Sequence, residues 1–415
     1  MKPPPELLAP ARDAACLRAA LEAGADAVYF GTEGCNMRAA RSAIPGDELP
    51  RLTATCHAAG ARAYLTLNAM VLPQELALVD DLVVMAADAG VDAVIASDPA
   101  VILAARAAGL AVVLSTQMST ANARAIRFWH QHAGVLRVVL ARECSVDDLA
   151  AIRAAVGDSI GLEVFVHGAM CVAVSGRCLI SQLMHGRSGN RGECLQPCRR
   201  EYRIVDVDDP GLELTIASGH VLSPRDLCAL PVLDRVLAAG ASSLKIEGRM
   251  RAPEYVATVT RAYRRALDCW LEYAGTADFQ ERFQALVATE MPRLEAVFNR
   301  GFSTGFLFGR PGDEAWADGA DNRATHRKEL IGPVVNYYHH HGVAEIAVQA
   351  RTMRVGDTVL IQGPTTGHME VTVEELQIHH QRVDQADQGT HVALRTPRVV
   401  RRNDLVFAVV DVRHR

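Results

Sequence analysis

The chain has 415 residues, a formal net charge of −5, and 49% hydrophobic and 22% charged residues. At roughly 150 residues per domain this is two or three domains, and the composition is ordinary globular, which excludes wholesale disorder. No apolar run reaches the roughly 18–20 residues of a membrane span, and a mildly acidic chain does not suit strong nonspecific binding to nucleic acid.

The N-terminus, Met1-Lys2-Pro3-Pro4-Pro5, lacks the basic and then apolar segments of a signal peptide, so a cytoplasmic protein is expected. The first 273 or so residues alternate short apolar runs with Ala-rich helical stretches. The runs predict strands at Glu6–Ala9, Ala27–Phe30, Ala61–Leu67, Ala93–Ala96, Ala111–Ser115, Val138–Ala141, Leu162–His167 and Ser243–Ile246. Leu76, Val79, Leu82, Val83 and Ala86 carry helical spacing, as do Leu149, Ile152 and Val156 with Arg153 as the polar exception. Gly24, Gly60, Gly90 and Gly240 each precede a strand, where a glycine just past a helix supplies the left-handed C-cap. Repeated strand–helix units imply a parallel sheet. Eight strands over 1–276 predict an α/β fold, a (β/α)8 TIM-type barrel, with an open doubly wound sheet as the competing arrangement.

Residues 168–230 break the rhythm as a long insertion after the seventh strand. Residues 277–326 read as a helical connector and a Gly-rich loop. From 327 to 415 the pattern becomes antiparallel, with strands expected at Leu330–Tyr338, Val343–Ala350, Thr358–Gln362, Glu370–Leu376, His391–Thr396 and Leu405–Val410. This predicts a small C-terminal antiparallel β-barrel. The run His339-His340-His341 falls in a hairpin and is expected to be solvated.

The chemistry concentrates in the insertion. Of ten cysteines, Cys171, Cys178, Cys194, Cys198 and Cys228 lie there, the first four spaced C-x6-C-x15-C-x3-C. Thiolates are soft ligands, and an all-cysteine Fe–S or zinc site needs four. Buried structural thiols are the alternative. His167 stands four residues before Cys171, which fits a Cys–His nucleophile pair or a locally bonded histidine. Lys245, one of three lysines, opens Lys245-Ile-Glu247-Gly-Arg249 at the end of the last barrel strand. Lys245 and Glu247 share a strand face, and with Arg249 they suit an anionic substrate or a structural ion pair. Asn36, Arg38, Asn68 and Gln117 follow earlier strands and project toward the same mouth. Arg187, Arg191, Arg199 and Arg200 form a candidate local stripe of positive charge for a polyanion. No P-loop, G-x-G-x-x-G or H-E-x-x-H motif is present.

Long ordered motifs carry a resemblance. They are Glu6-Leu-Leu-Ala-Pro, Gly24-Ala-Asp-Ala-Val-Tyr-Phe-Gly31, Asn36-Met-Arg-Ala39, the Glu163–Ser181 block, Lys245-Ile-Glu-Gly-Arg-Met250 and Phe298-Asn-Arg-Gly-Phe-Ser-Thr-Gly-Phe306. Together they resemble the collagenase-like peptidase U32 family. The resemblance implies one of several activities. One branch forms 5-hydroxyuridine at the tRNA wobble position, another hydroxylates a cytidine of ribosomal RNA, and a shorter branch hydroxylates the quinone ring without oxygen. The C-terminal β-region favours the RNA-directed or peptidase-labelled branches. The resemblance also implies a [4Fe–4S] cluster, with zinc as the alternative, and prephenate as a co-substrate of the RNA group. Cys171, Cys178 and Cys194 match cluster ligands, and Cys198 or Cys228 is the fourth. The expected partner is RNA, tRNA above all, with no membrane and with a homo- or hetero-oligomer of related chains. Peptidase activity and a non-catalytic RNA-binding role stand as alternatives.

Overall fold

The structure, a computed structural model, describes residues 3–38, 44–209, 211, 213–214, 219–319 and 322–412; Lys2 and Ala39 lie outside them. Eight parallel strands form the barrel of the first sheet: β1 (Glu6–Pro10), β2 (Ala27–Phe30), β3 (Arg62–Leu67), β4 (Ala93–Ala96), β5 (Ala111–Leu114), β6 (Arg137–Val139), β7 (Gly161–Gly168) and β8 (Ser243–Ile246). Each pairs with the next, and β8 pairs with both β7 and β1. That last pairing closes the barrel and rules out the open sheet.

The strands read as unbroken apolar runs because both faces are buried. Leu7, Ala9, Val28 and Phe30 point outward into the layer beneath the helices. Leu8, Ala27 and Tyr29 point inward with Tyr64, Ile95, Val113, Val139 and Phe165. The helix Leu76–Asp88 buries Val79, Leu82, Val83 and Ala86, as its spacing predicts, and Leu76 is exposed. Gly24, Gly60, Gly90 and Gly240 all have φ between +72° and +96°, consistent with their capping role.

The barrel interior is not wholly apolar. Lys245 Nζ donates to Glu163 at 2.7 Å, Arg137 reaches Glu163 at 3.2 Å and also pairs with Glu6, and the Ser243 hydroxyl donates to Glu163 at 3.1 Å. Tyr64 donates to Glu6 at 2.8 Å. Burial alone would raise the Glu163 carboxyl, but Lys245, Arg137 and Ser243 outweigh it and hold it below the ordinary range.

The insertion leaves the barrel after β7 and returns through the short strand Asp226–Cys228, which runs antiparallel to the end of β7 and parallel to Phe302–Ser303. The helix Phe279–Ala296 follows the long helix Pro253–Tyr273. Beyond it lies an eight-stranded antiparallel sheet. Its end strands, Gly367–Thr372 and Gln381–Val383, are not paired with each other among the described residues. Met369 and Val371 on one end strand and Leu376 beside the other belong to one buried cluster that forms the core of this sheet. The run expected as one strand over Glu370–Leu376 is two, because the chain turns where Val373 donates its N–H to Asp357. His339–His341 form the tip of a hairpin, as expected.

The sheet is fastened to the barrel by Glu254, which takes Lys328 at 3.0 Å and Gln362 at 2.8 Å, and by Arg398 on Glu22 at 2.6 Å. No helix among the described residues is long and apolar enough to cross a membrane.

Glu163→Gln would leave Lys245 and Arg137 buried without their shared anion, so urea denaturation should show a loss of about 3–5 kcal/mol. Because the native carboxyl is held low, its contribution is complete above the unfolded value of about 4.3 and is lost as pH falls below it. The wild-type stability curve should therefore steepen toward acid pH, and the variant should lack that component.

Candidate active site at the barrel mouth

Loops at the C-terminal ends of the strands enclose a chamber of about 110 Å³. Arg38, Asn68, Gln117, Lys245, Glu247 and Arg249 line it, together with Cys171, Cys178, Cys194 and Cys198. Its floor is aromatic: Lys245 Nζ lies 4.6 Å from the centre of the Tyr29 ring, and the Arg142 guanidinium lies 4.1 Å from that of Phe165.

Glu247 is the carboxylate around which the cations gather. Arg38 and Arg142 each approach it at 3.7 Å. Burial alone would raise its carboxyl; Arg38, Arg142 and Arg249 reverse this and hold it ionised. Gly168 makes the placement possible. It has φ +107°, a Cβ there would collide with the Glu247 carbonyl, and the Glu247 N–H donates to His167 O at 2.8 Å. Arg249 donates to Thr66 Oγ1 at 2.6 Å and to Asn36 Oδ1 at 3.2 Å. Burial lowers its guanidinium to about 10. Burial would also lower Arg38, but Glu247 and the Cys171 and Cys194 thiols outweigh it. Asn36 does not line the chamber; it acts through Arg249 and through the Arg38 N–H that it accepts at 2.9 Å. Asn68 donates to Ser115 at 3.2 Å and to Gln117 at 3.3 Å, which forms a polar rim.

The four cysteines reach the chamber on a loop that is clamped from outside. Ser175, at φ +45°, is held by Glu143 through its N–H at 2.7 Å and its hydroxyl at 2.6 Å. Arg191 binds Glu75 through two hydrogen bonds of 2.9 and 2.5 Å. Arg191 holds the Glu75 carboxyl down to about 2. All four thiols are free, and the N–H groups of Ile180 and Gln196 donate to Cys178 and Cys194 sulfur at 3.4 Å each. Burial pushes the Cys198 thiol up, and its neighbours Cys171, Cys194 and Cys178 add to this. Four sulfurs facing one space, two already accepting backbone N–H bonds, suit a thiolate-ligated centre. No group of three or more His, Cys, Asp or Glu side chains among the described residues is drawn together to hold a metal ion.

Two predicted residues lie elsewhere. Cys228 is buried beneath the mouth, 3.9 Å from Met291 sulfur and from the Tyr263 hydroxyl, and burial raises its thiol to about 11. His167 is turned away from the chamber. A bulge between β7 and β8 pairs Phe165 with Lys245 but His167 with Ile246, and this sets the ring outward among Tyr255, Tyr263 and Phe302. Burial lowers it to about 3, so it is neutral at ordinary pH. His167 and Cys171 therefore form no nucleophile pair. Three of the four arginines of the proposed stripe are engaged, and Arg200 is exposed. Arg187 pairs with Glu193, Arg191 with Glu75, and Arg199 donates inward to Ser223, Pro224 and Met170.

Arg142 is the chamber residue that sequence reasoning missed. It donates to Ala169 O at 2.7 Å, and its buried Nε has no hydrogen-bond partner among the described residues. Its place just past the sixth strand, matching that of Asn68 past the third, is the signal that would have found it.

Residues 12–317 match a sequence model describing Peptidase family U32. The chain belongs to peptidase family U32. This U32 protein is 38% identical over 413 residues to a protein named collagenase from Porphyromonas gingivalis (strain W83), with 97% of each chain covered. It is 33% identical over 380 residues to tRNA hydroxylation protein P1 of Bacillus subtilis, covering 90% of this chain and 86% of that one. It is 35% identical over 385 residues to the 23S rRNA 5-hydroxycytidine C2501 synthase of Escherichia coli, covering 91% of this chain and 56% of that one.

Removing the Arg191–Glu75 clamp should free the cysteine loop without unfolding the barrel. In Glu75→Gln, hydrogen exchange across 171–200 should quicken while β1–β8 keep their protection. In the wild type the clamp should hold in full above about pH 4.5 and fail as pH falls toward about 2.

Proposed function

We propose that this U32 protein is an RNA hydroxylase whose substrate is a tRNA wobble uridine and whose product is 5-hydroxyuridine. The observation that carries the reading is the chamber itself, where four free thiols and the guanidiniums of Arg38, Arg142 and Arg249 face one space. Relatives named for tRNA hydroxylation and for 5-hydroxycytidine synthesis support it.

Cys171, Cys178, Cys194 and Cys198 are the four that would hold a [4Fe–4S] cluster, with zinc as the alternative occupant. A cluster bound there supplies one-electron chemistry beside the substrate. Arg38, Arg142 and Arg249 exceed Glu247 in charge, which suits an anionic co-substrate, and prephenate is the one that the family resemblance implies. Arg142 Nε is the donor left open for it. Lys245, tied to Glu163, is a fixed cationic donor at the chamber floor rather than a mobile base. Asn68 and Gln117 present amide groups at the rim, where a base edge can be read by hydrogen bonds.

The peptidase reading draws on the collagenase-named relative. The outward turn of His167 removes the Cys–His pair on which that chemistry would rest.

Two measurements test the proposal. Anaerobically purified protein should contain about four irons and four acid-labile sulfides per chain. Cys198→Ala should lose them and Cys228→Ala should keep them; the reverse pattern would exchange the fourth ligand. Mass spectrometry of tRNA from a deletion strain should show loss of wobble 5-hydroxyuridine. Full retention of that nucleoside would overturn the proposed substrate, and gelatin cleavage abolished by Cys171→Ala would favour the peptidase.

A further inference from the structure

The groove between the barrel and the C-terminal sheet has no part in the chemistry described above. It is about 810 Å³ in volume and is walled by the helices Pro253–Tyr273 and Phe279–Ala296 and by the strand His326–Tyr338. Seven cationic side chains line it against three carboxylates, in a chain whose net charge is −5. We propose that this groove binds the sugar–phosphate backbone of the RNA substrate. The inference rests on the RNA-directed reading above and adds where the polymer lies.

Arg12 pairs with Asp13, Arg327 with Glu329 and Lys328 with Glu254, so the surplus of positive charge lies along the two helices. Arg261 is exposed and has no ion-pair partner among the described residues. Arg265 and Arg293 share a single carboxylate, Glu290, at 2.5 and 2.7 Å. Arg261 and Arg265 lie four apart on one helix face, about 5–6 Å between Cβ atoms, and their like charges repel; Glu290 offsets Arg265 but not Arg261. Guanidiniums bind phosphate oxygens through paired N–H donors, so an array of them suits a polyanion.

The segment that follows β8 serves both the groove and the chamber. Arg251 lies on its wall with its guanidinium 3.4 Å from the centre of the Phe298 ring, while Arg249, two residues earlier, lines the chamber. A backbone held along the groove would therefore present a nucleotide at the barrel mouth. The C-terminal sheet forms one wall, which gives that region a role the chamber alone does not require.

The test uses full-length protein and tRNA purified from a strain lacking the gene, titrated by fluorescence anisotropy between about 50 and about 200 mM salt. Wild-type binding should weaken steeply with salt. The double variant Arg261→Glu/Arg265→Glu should bind at least about tenfold more weakly, and its log–log salt slope should be shallower by about two. Arg261→Gln/Arg265→Gln, which carries less risk to folding, should shift both readouts in the same direction. Arg187→Glu/Arg200→Glu, on the cysteine loop, should leave both unchanged. Iron content and melting temperature report whether a variant is folded. Wild-type binding retained by both groove variants would overturn the groove and leave the RNA reading intact. No tRNA binding by the wild type would overturn both. Polyglutamate binding as tight as that of tRNA would assign the groove to an acidic protein partner and overturn the proposal.

Discussion

The ion pair between Lys245 and Glu163 is the interaction on which the rest depends. It joins the last barrel strand to the seventh, and Arg137 and Ser243 extend it to Glu6 on the first. A buried pair of this kind stabilises little when compared with well-packed apolar side chains, but removing one partner costs several kcal/mol because the other charge is stranded. Its effect here is to fix register. With Glu163 and Lys245 facing inward, Glu247 and Arg249 leave β8 at the mouth, and the bulge beside them turns His167 outward. One buried pair thus sets the barrel's closure and decides which side chains face the chamber.

Above that layer the charge balance reverses. The interior pairs its cations with Glu6 and Glu163. At the mouth, Arg38, Arg142 and Arg249 surround Glu247 alone among carboxylates in the chamber wall. A low-dielectric space with surplus guanidinium charge is preorganised for an anion. Four thiolates holding a cluster would themselves bring negative charge, and Arg38 is already tuned by two of the thiols. The same arginines therefore suit both a thiolate-ligated centre and an anionic co-substrate.

The acidic net charge of the chain and its RNA-directed reading are reconciled by segregation. Arg187, Arg191 and Arg199 near the cysteines are taken up in contacts within the loop and its surroundings. Those between the barrel helices and the C-terminal sheet outnumber the carboxylates that line the groove with them, with Arg265 and Arg293 sharing Glu290 and Arg261 outside any ion pair among the described residues. Electrostatic attraction for a polyanion depends on this local density of charge and not on the total.

By itself the sequence determined the repeated strand–helix units, because strands buried on both faces must be short apolar runs and glycines must stand at the left-handed helix ends between them; that they close into a barrel was decided by the pairing of β8 with β1. Three of the eight strand ranges agree with the structure at both ends, and the rest differ by a residue or two. It also determined which loop carries the thiols and which block carries Lys245, Glu247 and Arg249. What it left open, only the tertiary structure decided. Period-2 alternation cannot register a bulge, so the sequence left open whether His167 pairs with Cys171 or is bonded locally, and the bulge turns it outward beside Tyr263. Spacing cannot tell that Cys198 lines the chamber while Cys228 does not, because the chain returns beneath the barrel's edge at Asp226–Cys228. Nor can it tell a free arginine from a clamped one: Arg191 and Arg261 look alike in sequence and differ only in that Glu75, 116 residues away, folds against the first. Local patterns follow from bonds along the chain, whereas pairing across it requires the whole barrel to be closed.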